Sequence, residues 1–272
     1  MGQNFRQKIF SSQRPAPSIP LVFLLVAILS LLQFATNFFM QKVSSSAGIL
    51  INEIIFIAGL PILIAAILHF NLAKIFPFNL PRLKLLIYAI LLTIPFAVVI
   101  DYFAAGIEHF FPLPTEYYVM LERLMFFENT WEFIFKLFLL CVLPGVCEEI
   151  FFRGFCQNSL EKKWGSNKAI LITAALFALL HGNPWYLLLY FFLGLFLSWV
   201  YAQTKTLWIP ICCHIVNNAV TFISHSLEID LPLKGFKNLT DLSIIIVALI
   251  LVISLFFVFK RLSRQIKPRP TS

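Results

Sequence analysis

Two adjacent glutamates, Glu148 and Glu149, interrupt an apolar run from Ile134 to Phe155, and Arg153 follows four residues later. An ionisable side chain inside a membrane helix costs roughly 2.5–3.5 kcal/mol on insertion scales. Charge placed at depth against that cost marks a site where charge is needed. Two later apolar segments carry polar groups at helical spacing: His181, one turn after Phe177, and His214 with Asn218. Carboxylate, imidazole and amide groups are those that move protons and stabilise charge. Together they point to a catalytic centre within a membrane.

The elements that must position these groups follow from composition. Of 272 residues, 60% are hydrophobic and 12% charged, with 31 phenylalanines. A water-soluble domain of this length needs far more polar surface. A bilayer core of about 30 Å asks for about 20 apolar residues per helix. Such runs lie at about 20–40, 48–70, 84–106, 131–158, 167–182, 184–203, 206–226 and 242–260. They are continuous where a membrane β-barrel would alternate. The expected fold is all-α, a polytopic membrane protein of about eight transmembrane helices. It forms a single integral membrane domain over 1–272, with N-terminal helices over 20–130 and a short basic tail over 261–272.

Charge sets the expected orientation. With the N-terminus cytoplasmic and eight spans threaded, only Lys42, Arg123, Lys136, Lys234 and Lys237 of the 21 lysines and arginines fall outside. The other sixteen (21 − 5) fall at or near the inner side, the bias of the positive-inside rule, with both termini cytoplasmic. The +8 formal charge therefore reflects topology and anionic headgroups. No soluble basic domain exists to bind nucleic acid. The five cysteines, Cys141, Cys147, Cys156, Cys212 and Cys213, lie within or beside apolar spans and read as small packing residues. Residues 113–128 break the pattern of spans, and Thr115 would cap a short interfacial helix there.

Helical geometry divides the carboxylates. Glu149 and Arg153, at i and i+4, share a face on which acid and base pair. Glu148 is turned about 100° away and stays free for chemistry. The fourth and fifth spans reverse near Trp164-Gly165. Glu148 lies as far before that reversal as His181 lies after it, so an antiparallel pair puts both at one depth. His214 counts out somewhat nearer the cytoplasmic side, an offset that Pro210 and helix tilt must absorb. Asn52 and Glu53, at the start of the second span, fit either an outer entrance or ordinary packing.

In this order, Glu148-Glu149-x-x-x-Arg153, Phe177-x-x-x-His181 and His214-x-x-x-Asn218 resemble the three signatures of the CPBP intramembrane proteases. That group includes the Ras-converting CAAX prenyl endopeptidases and bacterial relatives tied to bacteriocin processing or immunity. The resemblance covers about 140–222. It implies an endopeptidase that hydrolyses a peptide bond near a membrane-embedded or lipidated segment. Glu148 would activate a water with help from His181, and His214 and Asn218 would donate to the oxyanion. Glu149 and Arg153 would support them. The implied partners are a lipidated or membrane-associated protein or peptide substrate and the lipid bilayer. The implied place is a bacterial cell membrane, or the endoplasmic reticulum in a eukaryote.

Two other readings use the same residues. Glu148, His181 and His214 could hold a catalytic zinc with water in the fourth position. The chain lacks a His-Glu-x-x-His helix to bring two histidines together, so no cofactor is the favoured expectation. A non-catalytic membrane scaffold or bacteriocin-immunity protein is the remaining alternative.

Overall fold

The computed structural model describes residues 16–40, 45–226 and 239–265. The expectations for the basic N-terminal residues, for Lys42, Lys234 and Lys237, and for the tail beyond 265 lie outside these.

The described residues form ten helical elements joined by short connections, without strands. Helix α1 is Ile19–Met40 and α2 is Ser45–Ile67. A short α3, Leu72–Ile75, leads to the long α4, Leu83–Phe110. Helix α5 is Thr115–Met125, and α6 spans 130–157 without a break. Then come α7, Asn158–Leu180; α8, Leu187–Thr204; α9, Trp208–Ser226; and α10, Leu239–Arg264.

Among the described residues, five helices are long and apolar enough to cross a bilayer: Ile19–Thr36, Ser45–Ile67, Leu83–Phe110, Leu187–Thr204 and Leu242–Arg264. The chain is a multi-pass integral membrane protein. The remaining three apolar runs, 131–158, 167–182 and 206–226, are also helical. They are the ones that carry Glu148, Glu149, Arg153, His181, His214 and Asn218. Polar side chains lower their apolar content where the candidate site lies.

Local chemistry starts and stops these helices. Asn129 Oδ1 accepts from the Glu132 amide at 3.0 Å, and Glu132 Oε2 accepts from the Glu128 amide at 3.0 Å, so two orphan donors open α6 satisfied. The α7 segment bends at Gly165, whose φ of +77° suits a residue without a Cβ. That bend is the reversal expected at Trp164-Gly165. Asn183 and Pro184 follow α7, and Lys205, left-handed at φ +54°, ends α8. Helix α5 begins differently from expectation. Pro114, not Thr115, precedes its first turn, and its carbonyl accepts from Tyr117 and Tyr118. Proline fixes φ near the value a helix start requires.

Hydrogen bonds tie the connections into two ends. At one, Leu207 N donates to Pro77 O at 2.8 Å and Trp208 Nε1 to Phe78 O at 3.1 Å. At the other, Asn183 Nδ2 donates to Tyr117 at 2.5 Å, Tyr118 to Glu108 at 2.8 Å, and Tyr186 also donates to Glu108. Helix α5 is thereby held against the α7–α8 turn. Partial burial and the Glu108 carboxylate push the Tyr118 phenol up to about 12.

The core sits where α6, α7, α8 and α9 meet, around Phe151, Phe152, Phe155 and Phe177, all fully buried. Lipid is as apolar as these side chains, so close packing must hold the helices together. Two glycines permit that. A Cβ on Gly145 would stand 2.6 Å from Ile215 Cγ1, and one on Gly194 would stand 3.0 Å from Ala174 Cα. Large exposed side chains such as Leu31, Phe34 and Phe257 face outward, as a lipid-facing surface requires.

Candidate active site

Helix α6 is not uniformly α-helical. Phe138–Val142 and Ile150–Gln157 are wound as π-helix, flanking the α segment Leu143–Glu149. Such i→i+5 winding is rare and collects at functional sites. The two glutamates fall at the junction with the second π segment.

Glu149 and Arg153 pair as their spacing predicts. Arg153 Nη1 lies 2.6 Å from Glu149 Oε1, and both side chains are fully buried. Arg153 Nη2 donates to the Gly194 carbonyl of α8 at 3.1 Å, and its guanidinium lies 4.8 Å over the Phe177 ring. The same Glu149 oxygen also faces His214 Nδ1 at 2.8 Å. Glu149 therefore ties α6 to α9, and Arg153 ties α6 to α8.

Glu148 points away from this pair, as expected. Its Oε2 lies 3.8 Å from His181 Nε2 and 3.9 Å from His214 Nε2. Both distances exceed a direct hydrogen bond, and Glu148 Oε2 is buried without a partner. A polar gap of this width is one that a shared water can bridge.

The histidines are held by their other nitrogens. His181 closes the C-terminus of α7, with Nδ1 2.7 Å from the Phe177 carbonyl. A carbonyl only accepts, so neutral His181 carries its proton on Nδ1 and turns an acceptor Nε2 toward Glu148. Its ring stacks on Tyr190 at 3.9 Å between centroids, and Phe177 lies 4.6 Å away. Phe177 also meets the His214 ring edge-on at 5.8 Å. One aromatic thus wedges both imidazoles and the arginine, which gives the Phe177-x-x-x-His181 spacing a packing reason.

Asn218 shares a helix face with His214, but its amide turns to α6, donating to the Leu140 carbonyl at 3.4 Å. This long bond is weak, and breaking it would free the amide. The offset counted between His181 and His214 closes in the structure, since both reach one carboxylate oxygen.

The structure adds residues that spacing alone did not assign. A small pocket, partly open at its mouth, is lined by Glu148, His181, Phe152 and Leu180. Its other walls are Gln33 of α1 and Asn52, Glu53 and Ile57 of α2. Asn52 and Glu53, left between an outer entrance and packing, are buried in the wall of this partly open pocket. They sit beside the catalytic candidates, and only their buried-looking polarity in an apolar span signalled it.

Among the described residues, no group of three or more His, Cys, Asp or Glu side chains is placed to hold a metal ion. Glu148, His181 and His214, with the two Nε2 atoms 3.8 and 3.9 Å from the carboxylate oxygen, do not form such a group as they stand. The five cysteines are free, four of them buried and Cys212 half-buried.

A many-helix membrane protein with glutamate and two histidines converging at its centre is the class defined so far. Comparison narrows it. Residues 130–220 match the family model described as "Type II CAAX prenyl endopeptidase Rce1-like". The chain is 33% identical over 82 residues to "Putative membrane peptidase YdiL" of Bacillus subtilis (strain 168), covering 30% of this chain and 34% of that protein. It is 37% identical over 67 residues to "UPF0177 protein YxdF" of Lactococcus lactis subsp. lactis (strain IL1403), covering 24% and 36%. Over this segment, about a third of its length, the chain is similar to the Rce1-like family. The chain spans about a third of the length of the curated relatives it matches. No solved structure matches it.

Proposed function

We propose that the protein is an intramembrane endopeptidase that cleaves a peptide bond close to a lipidated or membrane-embedded segment. The observation that carries this reading is the meeting of Glu148 Oε2 with His181 Nε2 and His214 Nε2, at 3.8 and 3.9 Å, from three helices.

In this reading a water rests between Glu148 and His181. Glu148 takes one proton as the water oxygen bonds to the carbonyl carbon, while His181 Nε2 accepts from the water and fixes its direction. The carbonyl oxygen becomes an oxyanion. His214, whose Nδ1–H is taken up by Glu149, donates from Nε2 in its doubly protonated form, and Asn218 Nδ2 joins it after leaving Leu140. Preorganised donors of this kind commonly contribute a few kcal/mol each in a water-poor site. Collapse breaks the C–N bond, and the proton held by Glu148 passes to the leaving amine. Arg153 keeps Glu149 in place, and through it His214.

The Rce1-like match supports a protease, and the printed name of the Bacillus relative supports a peptidase in a membrane. The substrate class follows from the site lying inside a helix bundle bounded by lipid. The test is comparative peptidomics of membranes from cells carrying the wild type or Glu148→Ala. Products that vanish with Glu148→Ala are expected. A substrate cut equally by both would remove Glu148 as the base, and an unchanged phenotype would favour the scaffold or immunity role.

A further inference from the structure

Glu53 is a second carboxylate in the pocket of Glu148, carried by a helix that the proposed chemistry does not otherwise use. It is buried, with 6% of its surface exposed, and neighbouring Asn52 is 8% exposed. Asn52 Nδ2 donates to Glu53 Oε1 at 3.2 Å, which fixes the carboxylate and leaves Oε2 unpartnered. Gln33 Oε1, Asn52 Oδ1 and Glu148 Oε2 are likewise buried and unpartnered, and all four side chains line the same pocket. The backbone here, Ile51–Gly59, is wound as π-helix, as it is beside Glu148.

Buried acceptors without donors are destabilising, and four converging on one small pocket call for a donor from outside the protein. Water is the smallest molecule with two. Resting on the hydrolase reading above, we propose that Glu53 is a second water-holding carboxylate for that reaction. Glu148 Oε2 accepts one O–H of the nucleophilic water and then its proton. The other O–H, which His181 Nε2 accepts, is shared with Glu53 Oε2 as a three-centre hydrogen bond, and this keeps the oxygen lone pair directed at the scissile carbonyl. The proton accounting of hydrolysis is unchanged, because Glu53 orients and does not transfer. Paired carboxylates around one water are an arrangement aspartic proteases also use, with one proton shared between them.

A purely structural Glu53 and a water-holding one respond oppositely to substitution. Glu53→Leu removes an unpaired buried carboxylate, so the fold is expected to be as stable or more stable. The water loses its second anchor, and misplacement of a reacting group on the ångström scale costs about 10²-fold. The experiment compares membranes from cells carrying the full-length wild type, Glu148→Gln, Glu53→Leu and Glu53→Gln. Products lost with Glu148→Gln define the reaction, and each purified chain is melted in the same lipid. Glu53→Leu is expected to form those products about 10²-fold more slowly without a lower melting temperature. Glu53→Gln, which keeps an acceptor oxygen, is expected to recover part of the rate. Glu53→Leu with wild-type processing overturns the inference, as does a parallel loss of stability and processing in both Glu53 variants. If Glu148→Gln changes nothing, the hydrolase reading itself falls, a separate result.

Discussion

Arg153→Met tests the framework beneath the site. The guanidinium is fully buried and bonded to Glu149 at 2.6 Å and to the Gly194 carbonyl at 3.1 Å, with Phe177 stacked 4.8 Å below. Methionine fills most of the volume and removes all three contacts. Glu149 then remains fully buried with His214 Nδ1 as its partner. Removing one member of a buried ion pair costs about 3–5 kcal/mol. A buried carbonyl stripped of its donor adds roughly 1–3 kcal/mol if no water replaces it. A loss of at least about 3–5 kcal/mol is therefore expected. Arg153→Met with Glu149→Gln removes the uncompensated charge and is expected to recover at least about half of that loss. The assay is reversible denaturant unfolding of the purified chain in mixed micelles, run as a double-mutant cycle. A single variant within about 1 kcal/mol of wild type, or a coupling energy near zero, would refute the reasoning that the pair organises the site.

Other outcomes follow from particular contacts. Gly145→Val sets a side chain against Ile215, where even a Cβ would lie 2.6 Å from Cγ1. It is expected to push α9 from α6 at a cost of about 1–3 kcal/mol and to slow processing by displacing His214, both read from melting and product formation. The Tyr118 phenol, pushed up to about 12 by partial burial and by Glu108, favours the folded state fully below its ordinary value near 10 and loses that contribution as pH rises through 12. Docking of α5, followed by hydrogen exchange, is thus expected to be pH-independent up to about 10 and to loosen above it, a transition that Tyr118→Phe removes. Processing is expected to survive exhaustive chelation. Loss of activity that zinc restores would reinstate the metal reading.

The catalytic candidates were legible in the sequence because each signature is local. Glu149 and Arg153, Phe177 and His181, and His214 and Asn218 all stand at i and i+4, a spacing that places both members on one helix face. The common depth of Glu148 and His181 was legible because a reversal at Gly165 makes the two arms comparable. The place of Glu53 beside Glu148 was not, since polarity in an apolar span marks the residue but no partner at helical spacing ties it to a helix so distant in sequence. The turn of the Asn218 amide toward Leu140 is likewise a matter of packing between α9 and α6. The π winding beside both glutamates has no residue signature at all. The start of α5 was misjudged by one position, where the fixed φ of Pro114 outweighed the capping tendency of Thr115.

The central claim is that Glu148, His181 and His214 work as one unit, the first two on the attacking water and the third on the oxyanion it creates. Groups that work as a unit are non-additive, so losing one costs about as much as losing all. The most direct measurement is product formation by purified full-length protein in lipid vesicles, using a substrate recovered from the peptidomic comparison. Glu148→Gln, His181→Ala and His214→Ala are each expected to lower the rate to a common floor, with the triple variant no lower. Losses that multiply from single to triple variant, or a single variant that cleaves at the wild-type rate, would contradict a single catalytic unit.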